Sequence, residues 1–252
     1  MRRLFKVDSG YHGRGKVVFA WQPDGNYLAT AGSNGLVHIF GRTGEQVDEI
    51  SLSAPGRVLD LQWDRDGSCL AVLQDGNSQM PLWELATKRV AMLETNLKDP
   101  TFIAWSKTAP LLAVGTAKGN LMLYDRNAQK KIPVLGKNPK SISCGAWSAS
   151  GKLALGSDDK TLTISNERGD TEEQTELKHP PFDVQWAKLK SDERGASGVD
   201  STCSINMGGR SLLLYDQEDS DNPLELAFQR KYGEIVEYHW YGAGCTTLLA
   251  ID

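Results

Sequence analysis

The chain has 252 residues, with 28 basic against 32 acidic side chains and a net charge of −4. That length holds one large domain or two small ones, and the near-balanced charge leaves no electrostatic footprint for nucleic acid. The apolar runs fall far short of the roughly 18 residues that a membrane-spanning helix needs, and the basic start has no apolar segment of a secretory signal. Cys69, Cys144, Cys203 and Cys245 are widely spaced without a C-x-x-C pair, which fits reduced thiols and a reducing compartment.

In chain order, Leu4, Phe5 and Val7 suggest a short strand that in a ring would join the last repeat. Gly10-Tyr11-His12-Gly13-Arg14-Gly15-Lys16 then matches the G-x-x-x-x-G-K spacing of a phosphate-cradling loop. Val17 follows in place of the Mg²⁺-binding Ser or Thr, and a strand follows in place of a helix, so the stretch reads as a flexible entry loop.

Residues 17–32 set the pattern: an apolar strand ending at Trp21, a Pro-Asp-Gly turn, and a second apolar strand ending at Gly32. The unit returns with Trp63, Trp105 and Trp147, each 42 positions on, and more weakly with Trp186 and Trp240. A period of roughly 40–45 residues with several strands per unit is the propeller value. The expected first blade has strands at 17–21, 27–31, 36–40 and 47–52, with an Asn34-Gly35 turn. Third strands recur at 81–84, 121–125, 161–166 and 211–216. Phe40, Trp83, Tyr124, Ser165 and Tyr215 therefore mark one structural position, with an acid after Trp83 (Glu84), Tyr124 (Asp125) and Tyr215 (Asp216).

Residues 188–200 are polar, rich in Gly and Ser, and without periodicity, so they read as a flexible loop that stretches the Trp186–Trp240 spacing to 54. The last repeat offers strands at 235–240 and 247–251 only. The fold expectation is all-β: a WD-repeat-type β-propeller of four-stranded antiparallel blades, five blades plus part of a sixth, from a seven-bladed ring. Because an open ring leaves strand edges unpaired, residues 1–252 are expected to be the N-terminal propeller of a longer chain, incomplete at its C-terminus.

No catalytic, cofactor-binding or metal-binding set emerges. His12, His38, His179 and His239 have no zinc-ligand spacing, and no Ser sits in a G-x-S-x-G elbow. Asp24, Asp66, Asp75, Asp158 and Asp159 recur at turns, where backbone hydrogen bonding is the expected role. The six Trp residues are expected to pack between blades. A propeller enzyme would need titratable groups converging on the central channel; the inner strands offer Asp60, Asp183, Glu237 and His239. Two charged edges are candidate docking surfaces: Lys130, Lys131, Lys137 and Lys140 near the third outer strand, and Glu167, Asp170, Glu172, Glu173 and Glu176 around the fourth.

The repeats resemble WD-repeat propellers, without the usual Gly-His pairs and with only approximate Trp-Asp pairs. More narrowly, Phe19-Ala20-Trp21-Gln22, the stretch 112–121, Lys131-Ile132-Pro133-Val134-Leu135-Gly136-Lys137, the stretch 165–171, Asp221-Asn222-Pro223 and His239-Trp240-Tyr241-Gly242 are similar to the WD-repeat protein 19 family, also called intraflagellar transport protein 144. The similarity covers nearly the whole chain and is weakest over 187–210. It implies a non-enzymatic ciliary scaffold with two N-terminal propellers and a helical repeat region. It further implies membership of intraflagellar transport complex A, in retrograde traffic and ciliary entry of membrane proteins. The implied partners are other complex A subunits and ciliary cargo adaptors. The implied location is the cilium or flagellum, its base and the cytoplasm. A coat-like vesicle-trafficking propeller is the nearest alternative scaffold.

Overall fold

The computed structural model describes residues 5–53, 56–187, 202–227, 233–241 and 245–251. Among them are five four-stranded antiparallel sheets and one two-stranded sheet, with no α-helix. Blade one is β1 (Val18–Trp21), β2 (Tyr27–Ala31), β3 (Leu36–Gly41) and β4 (Gln46–Ser51). Blade two is β5 (Val58–Trp63), β6 (Cys69–Gln74), β7 (Gln79–Glu84) and β8 (Arg89–Glu94). Blade three is β9 (Pro100–Trp105), β10 (Leu111–Thr116), β11 (Leu121–Asp125) and β12 (Lys130–Val134). Blade four is β13 (Ile142–Trp147), β14 (Leu153–Ser157), β15 (Thr161–Ser165) and β16 (Thr171–Glu176). Blade five is β17 (Pro181–Ala187), β18 (Thr202–Met207), β19 (Ser211–Asp216) and β20 (Leu224–Ala227). The last sheet pairs β21 (Glu234–Tyr241) with β22 (Cys245–Ile251).

The core lies between blades. In β6, Leu70 and Val72 join Ala29, Ala31, Val37 and Ile39 of blade one, while Cys69, Ala71 and Leu73 join Ile103, Leu112 and Val114 of blade three. Side chains alternate across a strand, so a sheet covered on both faces needs apolar residues at every position. That is why the second strands read as unbroken apolar runs. Similar apolar layers join blades three and four, and blades four and five.

The turns behave as their residues dictate. Gly119 turns at φ +74°, and a Cβ there would run into the backbone carbonyls of Asn138 and Lys140.

Three expectations need correction or fall outside the described residues. The entry loop is held against blade one. His12 is buried, its carbonyl accepts from Ser33 N at 2.8 Å, and its ring stacks on His38 with centroids 5.7 Å apart. His38 Nε2 donates to Tyr11 O at 2.7 Å. Gly32 is required beneath this loop, because a side chain there would strike His12. The strand expected at 4–7 is absent over 5–7, and Leu4 lies outside the described residues. The loop expected at 188–200 also lies outside them.

Gly119→Ala is expected to cost about 1–3 kcal/mol through left-handed strain plus the carbonyl clash. Gly25→Ala, at φ +68° with open space around it, should carry only the strain, about 1 kcal/mol. Urea unfolding of the two variants measures the gap.

Candidate functional site

The repeated Trp positions bind neighbouring blades together. Trp63 Nε1 donates to Ala20 O at 3.1 Å, Trp105 Nε1 to Gln62 O at 3.2 Å, Trp147 Nε1 to Ala104 O at 3.1 Å and Trp186 Nε1 to Ala146 O at 2.9 Å. Every acceptor is the residue just before the preceding blade's Trp. Trp240 reaches the same register indirectly: its Nε1 donates to Ser204 Oγ at 2.8 Å, which donates to Gln185 O at 3.1 Å. Trp21 departs from the expected burial. No described blade precedes it, and it is 45% exposed.

The positions inferred for the third strands are structurally equivalent. Phe40, Trp83, Tyr124, Ser165 and Tyr215 pair with Leu28, Leu70, Leu112, Leu153 and Cys203, at matching places in their blades. Two of them close a seam through an acid on the preceding outer strand. Trp83 Nε1 donates to Asp48 Oδ2 at 2.7 Å, and Tyr215 OH donates to Glu173 Oε2 at 2.9 Å. Of the acids that follow this position, two cap turns: Asp125 Oδ1 accepts from Asn127 N and Ala128 N, both at 2.9 Å, and Asp216 Oδ1 accepts from Glu218 N at 3.1 Å, while Glu84 accepts from Thr87 Oγ1 at 3.2 Å.

A second link was not apparent from the sequence. Buried Asp64 accepts from Ser68 N at 2.7 Å and from Arg126 Nη1 at 2.8 Å, and Arg126 also reaches Glu84 Oε1 at 3.2 Å. The only sequence signal is an Asp directly after a repeat Trp. Of the turn aspartates, Asp159 accepts from Thr161 N at 3.0 Å, while Asp66 and Asp75 face Arg65 and Arg57.

The channel-side carboxylates bond within their own strands. Asp60 accepts from Leu61 N at 2.8 Å and Gln62 Nε2 at 3.0 Å; Asp183 accepts from Val184 N at 2.9 Å and Gln185 Nε2 at 2.7 Å. Burial pushes Asp60 up to about 6, and Asp183's charge adds to this. Burial raises Asp183 as well. Glu237 Oε1 lies 2.7 Å from His239 Nε2 on the exposed side of β21. Among the described residues no cluster of His, Cys, Asp and Glu could hold a metal ion. Cys69, Cys144 and Cys203 are buried free thiols, with Cys69 pushed up to about 12 by burial.

The two charged edges divide. Lys137 turns toward blade four, donating to Gly169 O at 2.8 Å and Thr171 Oγ1 at 2.5 Å, and its burial pushes the ammonium down to about 8. Glu173 is taken up by Tyr215 and by Gln217 Nε2 at 2.8 Å. Glu167 Oε1 accepts from Thr108 Oγ1 at 3.0 Å, and Glu172 faces Lys152 at 3.4 Å. Lys130, Lys140, Asp170 and Glu176 are exposed, and Lys131 is half-buried.

Five blades of one register, joined by a repeated aromatic-to-carbonyl bond, define a WD-repeat-type β-propeller. A chain in the crystal structure of a mitotic checkpoint complex shares this fold, with a TM-score of 0.73 and 15% identity, over 93% of this chain and 68% of that one. Residues 17–250 match the family model described as WDR19 first beta-propeller, and the chain belongs to that family. It is 43% identical to mouse WD repeat-containing protein 19 over 97% of its own length and 18% of the relative's. It is 22% identical to the Xenopus tropicalis intraflagellar transport protein 122 homolog over 58% of its length and 13% of the relative's. The chain thus spans less than a fifth of these relatives. The family is one of scaffold propellers rather than enzymes.

Trp147→Phe removes one seam hydrogen bond and leaves Ala104 O buried without it, so a loss of about 1–3 kcal/mol is expected in chemical denaturation. The Asp60 carboxyl titrates higher in the fold than its ordinary value of 3.8. The folded state therefore binds more protons between about pH 4 and pH 6, and stability falls as pH rises through that window. Thermal melts should show wild type losing ground to Asp60→Asn from pH 4 to pH 6.5; parallel curves would refute this.

Proposed function

We propose that this chain is a non-catalytic scaffold module of intraflagellar transport complex A. In this reading its blades make protein–protein contacts for retrograde ciliary transport and for ciliary import of membrane proteins. The single observation that carries the reading is the family match across 17–250. The relationship to a protein named for intraflagellar transport supports it. The partners are other complex A subunits and ciliary cargo adaptors, and the location is the cilium or flagellum, its base and the cytoplasm.

Physical chemistry supports a scaffold role. Both faces of each inner blade are used up in seams, so contacts with other proteins fall to the loops and outer strands. Lys130, Lys131 and Lys140 on one edge, with Asp170 and Glu172 on the next, are the charged groups best placed to steer such contacts.

The test is affinity purification of the full-length protein from ciliated cells, with bound proteins identified by mass spectrometry. Other complex A subunits should be recovered. Charge reversal at Lys130, Lys131 and Lys140 should lower the yield of at least one of them severalfold. A folded bait that recovers no complex A subunit overturns the reading.

A further inference from the structure

The outer strand of blade two differs from those around it. Sheet edges carry unpaired backbone donors and acceptors, and natural proteins blunt them with charge, proline or bulges. β4 has a register shift against β3 and carries Asp48 and Glu49; β16 has one against β15 and carries Glu172, Glu173 and Glu176. β12 carries Lys130, Lys131 and Pro133. β8 has none of these devices along its middle. It pairs with β7 without a break from Gln79↔Glu94 to Glu84↔Arg89, and its charges stand only at the two ends. Between them, Val90 is 41% exposed and Met92 45%. Blades one and three, on either side, are both described. The exposed Leu224 and Leu226 of β20 precede residues outside the described set and carry no such argument.

The seam beside β8 is also incomplete. Asp48 stands opposite Ile39 and Glu173 opposite Ile164, and each receives the hydrogen bond of the next blade's Trp83 or Tyr215. The same place on β8, opposite Leu82, is Ala91, which lines a cleft together with Tyr124. On β12 it is Ile132, which packs into the seam between blades three and four. Alanine supplies neither an acceptor nor bulk. A cleft of about 340 Å³ opens there, lined by Ala91, Met92, Tyr124, Gln129 and Lys131 among others.

From these observations we infer that the β8 edge and its cleft form a docking site for an extended, acidic segment of a partner protein, which adds to blade two as a fifth strand. Backbone pairing along β8 supplies the affinity. Alternate, apolar side chains of the guest enter the Ala91–Tyr124 cleft on one face, and the intervening glutamates lay their methylene stems over Val90 and Met92 on the other. Its carboxylates meet Arg89, Lys130 and Lys131, the cations left around this edge once Arg126 is engaged by Asp64 and Glu84, and Lys88 by Val47 O at 3.2 Å. The one acid on β8, Glu94, is held by Gln79 Nε2 at 2.9 Å at the far end. This goes beyond the scaffold reading, because such an edge would act in whatever assembly the chain serves.

The probe is a fluorescein-labelled heptapeptide of alternating glutamate and valine, titrated into the full-length protein by fluorescence anisotropy. Hydrogen exchange is followed at residues 89–94. The expected result is saturable binding that slows exchange at 89–94. A peptide with lysine for glutamate, or with a central proline, should bind at least tenfold more weakly. Ala91→Asp places the acid found at 48 and 173 into the cleft and should weaken binding at least tenfold. Met92→Glu, which adds a like charge to the same edge, serves the same purpose if that variant does not fold. No binding to folded protein overturns the proposal. So does binding that ignores both variants and leaves 89–94 unprotected. Neither outcome bears on recovery of complex A subunits in cells.

Discussion

Each blade has two apolar faces and can hide neither by itself. Everything else in the structure follows from that constraint. A flat sheet whose second strand is buried on both sides must find a neighbour on each side. A covalently joined series of such sheets satisfies this only by stacking around an axis. The indole N–H gives the stacking its register: one donor per blade, aimed at the carbonyl just ahead of the preceding blade's indole. Apolar packing alone would tolerate sliding between sheets. A directional bond to one backbone oxygen does not.

That bond explains what could be read from the residues alone. It demands the same side chain at the same place in every unit, so the period was visible as spaced tryptophans and the strands fell within a residue or two of their observed ends. Contacts across a seam obey no such spacing. Glu173 and Lys137 look like ordinary surface charges in sequence, and only the approach of the next blade turns them inward. Asp64 and Arg126 are 62 residues apart and belong to no motif. The entry loop departs from its sequence for a related reason: its glycines signal freedom, while buried His12 and the bare Gly32 beneath it signal attachment only once brought together. Trp21 carries the repeat's signature without the blade that would cover it.

The channel side and the rim divide the chemistry. On the inner strands, Asp60 and Asp183 are held by their own backbones and by glutamines two positions on, an arrangement suited to holding a strand rather than to moving a proton. At the rim the blades share no common sequence, because outer strands have a neighbour on one side only and escape the packing rule. Variation in charge, proline content and bulging is therefore cheap there. This is where one propeller can be made to recognise what another ignores.

The buried thiols give the seams a chemical signature of their own. Cys69 sits in the layer between blades two and three, and Cys144 and Cys203 in the layer between blades four and five. All three are held in the protonated, unreactive form by burial. Alkylation of each one becomes a clock for the parting of its own layer: the two joints of the stack keep separate time, and slow modification at one beside fast modification at the other marks which blades breathe apart first.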